Sequence, residues 1–122
     1  LLEELSDYSL VLIDTGGIAL EHNLQEINQL VPSAKKHLLL AADASETSAN
    51  RYLTNKGIEW DSVMLTQFEP DVHPWAVVSA LMASNVPLST ASSSGSVSQH
   101  ATTVDGYTLT KQSLLNLAAS SI

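Results

Sequence analysis

A chain of 122 residues is long enough for one domain with a sizeable core, and 44% apolar residues suit a globular fold rather than disorder. The 13 Asp+Glu outweigh the 5 Lys+Arg for a net charge of −8, and the 0 cysteines exclude a disulfide framework and thiolate metal sites. No apolar run approaches the length of a membrane span, and Lys35, Lys36, Arg51, Lys56 and Lys111 are too few and too scattered to make DNA or RNA the main partner.

In chain order, Leu1, Leu2 and Leu5 read as the last turns of an amphipathic helix whose beginning is absent, so residues 1–122 are expected to be a single α/β domain from a longer chain. Leu10-Val11-Leu12-Ile13 has no polar break and predicts a strand covered on both faces, ending in Asp14-Thr15-Gly16-Gly17. An acid at such a strand exit stands where open α/β sheets bind ligands, and the two glycines allow close backbone approach or a positive φ. Leu20, Leu24, Ile27 and Val31 recur at helical spacing before Pro32. His37 to Asp43 is a second apolar strand, and Ser45 is placed to cap a helix holding Ala49, Tyr52 and Leu53 that stops at Gly57. Ser62 to Thr66 is a third strand. Pro74 starts a helix with an inner stripe of Trp75, Val78, Leu81 and Met82, and Val86-Pro87-Leu88 opens a weaker fourth strand. Residues 89–98 read as a Ser/Thr/Gly-rich loop, and Leu109 to Ala119 as a closing helix. The alternation predicts a doubly wound parallel sheet of about four strands.

Few residues stand out chemically. His22, His37, His73 and His100 have no helical ligand spacing among them, so no metal site is expected. The serines at 92–94 lack a G-x-S-x-G elbow and a base partner. Trp60 and Trp75 read as packing residues, with Trp75 also able to anchor a partner.

The segment Asp7-Tyr8-Ser9-Leu10-Val11-Leu12-Ile13-Asp14-Thr15-Gly16-Gly17 resembles the D-Y-x-x-V-L-I-D-T-A-G-R segment of signal-recognition-particle-type GTPases, closest to the flagellar FlhF branch. His37 to Ala42 resembles that family's L-V-L-x-A strand. Val63 to Glu69 falls at its guanine-reading I-L-T-K-L-D, Ala80 to Leu88 at a helix and following strand, and Ser94-Gly95 near its closing glycine loop. The resemblance spans most of residues 7–118 and implies a remnant of the P-loop NTPase fold. It would make Asp14, Thr15 and Gly17 the magnesium and γ-phosphate edge, and Thr66, Gln67 and Glu69 the base pocket. The plainer alternative for both groups is polar loop retained for the fold.

The departures from the family are chemical. Ile18 stands where the family has arginine and Gly16 where it has alanine; Gln67 replaces lysine, and Glu69 is one methylene longer than the guanine-binding aspartate. Misplaced partners forfeit discrimination in a polar site. No G-x-x-x-x-G-K-[ST] is present to cradle phosphates. The expected function is therefore a degenerate, pseudo-GTPase-like domain that binds another protein, with no catalytic residue and no cofactor. The resemblance sets it in the cytoplasm, at the inner membrane face or cell pole, among flagellar components. One alternative is the C-terminal half of an active GTPase using GTP and magnesium, with its P-loop upstream; another is a nucleotide-independent α/β scaffold. In the family the phosphate-loop strand lies between the D-T-x-G strand and the next, so either a compact four-stranded sheet or an oligomer is expected.

Overall fold

The computed structural model describes residues 2–93, 101–107, 109–111 and 114. They belong to two compact units, Leu1–Lys35 and Lys36–Ile122.

The second unit is α/β. Its elements are β1 (His37–Ala41), α3 (Glu46–Leu53), β2 (Ser62–Thr66), α4 (Trp75–Ser84), β3 (Leu88–Ala91) and β4 (Thr102–Thr103). The sheet is open, in the order β1-β2-β3-β4. β1, β2 and β3 are parallel, and β4 returns antiparallel to β3. Successive parallel strands lie side by side, so each needs a helical crossover, which α3 and α4 supply. The two helices pack against each other, so both crossovers cover the same face of the sheet.

That face holds the core. Leu38 and Leu40 of β1, Val63 and Leu65 of β2 and Ala91 of β3 meet Ala49 and Leu53 of α3 and Val77 and Ala80 of α4. Small residues at the helix contact (Ala49, Ala80) let the helices approach closely, while Val63 and Leu65 are fully buried at the centre. The alternation of side chains along a strand turns His37 and Leu39 to the opposite face, where Leu39 is 63% exposed.

Local signals explain the boundaries. The Ser45 hydroxyl accepts the Ser48 backbone N–H at 3.1 Å and starts α3 as its N-cap. The helix ends at Leu53, capped by Thr54, rather than running to Gly57; the Asn55 carboxamide instead takes the Gly57 N–H at 2.9 Å in a separate turn. α4 follows Pro74 as expected; Val78 and Leu81 of its predicted stripe pack partly buried against the core, but the fully buried positions are Val77 and Ala80, and Trp75 and Met82 are exposed, at 39% and 77%. A helix apolar around most of its circumference gives little sequence contrast between its faces. β3 begins at Leu88 and runs into the stretch read as loop, with a register irregularity opposite Val63 to Leu65. Most of the closing helix over 109–119, and the Ser94-Gly95 position, lie outside the described residues; Leu109 itself is buried.

The first unit holds α1 (Leu2–Leu5) and α2 (Leu20–Leu30). α2 ends before Pro32 as its spacing requires and buries Leu24. The predicted strand at Leu10 to Ile13 is absent. The stretch has no regular structure, and Leu10 and Leu12 are 73% and 84% exposed. Among the described residues, the backbone from Ser9 to Gly17 makes no hydrogen bond. An apolar run specifies burial, but a strand also needs a neighbour to accept its N–H groups, and this one has none among the described residues. The four-stranded sheet exists, built from β1 to β4 rather than from residues 10–13 onward.

Truncating the centre of the core should be costly: Leu65→Ala is expected to lower unfolding free energy by about 2–5 kcal/mol in urea titrations, against about 1 kcal/mol for removal of the α3 cap by Ser45→Ala.

Candidate functional site

Open parallel sheets present their ligand-binding crevice beyond the carboxyl ends of the strands. Here that rim is formed by Ala42-Asp43 after β1, Gln67-Phe68-Glu69 after β2 and Ser92 after β3. The rim is tied by backbone bonds. Ala42 donates to the Thr66 carbonyl at 2.8 Å, Phe68 donates to the Ser92 carbonyl at 2.9 Å, and Ser92 donates to Leu65 at 2.9 Å.

Phe68 drives its ring into the core, and this decides the shape of the loop. To turn Phe68 inward directly after β2, Gln67 adopts φ 54°, a left-handed conformation uncommon for a side-chain-bearing residue. The Glu69 N–H then closes back on the Gln67 carbonyl at 2.9 Å, and Val72 donates to the Glu69 carbonyl at 3.1 Å. The loop reaches α4 through the buried Pro74. As a result the Gln67 side chain is exposed, while Thr66 and Glu69 are half-buried.

The charge at this rim is negative. Asp43 and Glu69 stand there, whereas Lys36 precedes β1 and Arg51 and Lys56 lie at and beyond the last turn of α3, by the start of the strands. At that opposite end His37 Nδ1 and Ser62 Oγ are 2.7 Å apart, and the Lys36 N–H donates to the Asp61 carboxylate at 2.7 Å. These bonds fix the β1–β2 register and went unnoticed in the sequence, because a Ser and a His 25 positions apart give no local pattern.

The other half of the predicted site, Asp14, Thr15 and Gly17, belongs to the first unit. Asp14 and Gly17 are exposed and Thr15 is half-buried. Neither Gly16 nor Gly17 has a positive φ, and a Cβ on either would meet nothing within 4 Å. The close approach or left-handed turn expected of these glycines is thus not what the backbone uses here. The site residues Thr66, Gln67 and Glu69 are brought together in one turn; Asp14 and Thr15 lie in a stretch without regular structure that bends at Gly17.

Among the described residues no group of three or more His, Asp or Glu side chains is placed to hold a metal ion, and no helix is long and apolar enough to cross a membrane. No family model matches the chain, and no curated protein matches it.

The left-handed residue is open to test. Gln67→Gly should be neutral or stabilising by up to about 1 kcal/mol, while the β-branched Gln67→Val should cost about 1–3 kcal/mol, read from denaturant midpoints. Equal effects of the two substitutions would mean that the turn is not held in this conformation.

Proposed function

We propose that this chain is a degenerate, pseudo-GTPase-like α/β domain that works by binding another protein rather than by hydrolysing nucleotide. The observation that carries the proposal is the stretch from Ser9 to Ile18. Its apolar run has the composition of a sheet strand, yet the backbone from Ser9 to Gly17 makes no hydrogen bond among the described residues, and Leu10, Leu12 and Ile18 face outward, Ile18 at 90% exposure. Contiguous exposed apolar surface is unusual on a folded protein unless something docks there, and a segment with an unpaired backbone is a ready partner for another strand.

The chemistry of the remnant motifs supports the same reading. Phosphate transfer depends on positive charge aimed at the transferred group, and the rim that carries Thr66, Gln67 and Glu69 offers carboxylates and an amide. Ile18 at the position of a family arginine points the same way. By the resemblance to the FlhF branch, the doubly wound P-loop-type framework is the ancestral one, and the setting is the cytoplasm, at the inner face of the membrane or the cell pole, with flagellar components as partners. No cofactor is needed for this role. Asp14, Thr15, Gly17, Thr66, Gln67 and Glu69 are then inherited positions without a nucleotide to hold.

Titration with a fluorescent GTP analogue and magnesium is expected to show no saturable signal. Micromolar binding would overturn the proposal in favour of the second half of an active GTPase, in which GTP and magnesium are the cofactors. A second measurement addresses the docking stretch itself: Leu12→Asp should change the unfolding free energy by less than about 0.5 kcal/mol, as for an exposed position. A loss of about 3 kcal/mol or more would mean that Leu12 is a core residue.

A further inference from the structure

Building on the docking role proposed above, we infer that the partner of the Ser9–Ile18 stretch is the open edge of a cationic sheet. Its edge strand has an apolar centre and Lys or Arg at its ends, and Ser9 to Ile13 add beside it as a further strand.

From Ser9 to Gly17 no backbone N–H or C=O makes a hydrogen bond among the described residues. Water can satisfy such groups, but it leaves the aliphatic side chains beside them uncovered; the edge of a sheet satisfies the backbone and covers the side chains together. Leu10 to Ile13 contains no Gly, Pro or charge to oppose strand pairing. Exposure alternates along it, with Leu10 and Leu12 at 73% and 84% against 40% and 47% for Val11 and Ile13. Paired as a strand, the run places two aliphatic side chains on each face, so the strand it joins must be apolar at its centre.

Charge separates the possible occupants. Residues 1–34 contain Glu3, Glu4, Asp7, Asp14, Glu21 and Glu26 and no Lys or Arg. Two of these carboxylates bracket the apolar run, Asp7 in the turn before it and Asp14 directly after Ile13. Neither has a hydrogen-bond or ion-pair partner among the described residues. A second copy of the stretch, parallel or antiparallel, would gather both carboxylates of each chain at the ends of one strand pair, and each chain carries a net charge of −8. Like charges across strands are destabilising, so these acids bar self-pairing, as charges beside an exposed strand sequence do generally. An anionic lipid surface is repelled for the same reason. A strand with Lys or Arg at its ends meets both requirements: its edge takes the backbone groups, and its cations lie against Asp7 and Asp14.

The test adds two fluorescently labelled, designed hairpin peptides to the full chain, their outer strands identical except for lysines or glutamates at the ends. The lysine hairpin is expected to bind saturably and roughly tenfold tighter than the glutamate hairpin, with an affinity that falls as salt is added. Amides of Leu10 to Ile13 should gain protection from hydrogen exchange in that complex. Asp7→Lys combined with Asp14→Lys, both at exposed positions, should reverse the preference with an unchanged circular dichroism spectrum. Equal affinity for the two hairpins, no binding of either, tighter binding to phosphatidylglycerol vesicles than to the lysine hairpin, or protection of Leu10 to Ile13 already present without a partner would each overturn the inference. Equal affinity leaves the docking role itself standing, whereas saturable GTP binding defeats that role and has no bearing on which hairpin is preferred.

Discussion

The second unit depends on β2. Its five residues pair with β1 on one side and β3 on the other, its Val63 and Leu65 side chains are fully buried beneath α3 and α4, and the bonds at its exit tie the loops after all three parallel strands together. A strand in this position satisfies its backbone on both edges and gives its neighbours a template for register. The left-handed turn at Gln67 follows from the same arrangement, because the chain must reverse sharply to bring Phe68 into the core directly after the strand.

Where a residue's role was set by near neighbours in the chain, the sequence was sufficient. The apolar blocks at 37–41 and 62–66 became β1 and β2, Ser45 capped α3, Pro74 preceded α4, and Pro32 followed α2. Roles set by distant partners were not legible. Leu10 to Ile13 has the composition of β1, yet β1 has β2 beside it and, among the described residues, residues 10–13 pair with no strand. Composition records what a segment prefers to contact; it does not say whether the contact is present. Two-residue β4 exists only because Thr102 and Thr103 meet Ala91 and Thr90, and no local pattern announces it.

The candidate site divides along the same line. Thr66, Gln67 and Glu69 could be placed at a strand exit from sequence, because β2 itself was clear. Their chemistry there, with one side chain exposed and two half-buried beside Asp43, came from the turn geometry that Phe68 imposes. Asp14, Thr15 and Gly17 were assigned to a strand exit whose strand is not formed, and their surroundings differ accordingly. Asp14 is exposed on a stretch without regular structure rather than at a sheet rim.

Among the described residues the sheet is built from β1 to β4, while residues 9–17 hold a strand sequence without a sheet. Amide hydrogen exchange on the isolated protein tests this most directly. Amides of Val63 to Leu65 should exchange only through global unfolding, and those of Leu10 to Ile13 at close to the rates of an unstructured peptide. Equal protection of the two segments would contradict the account.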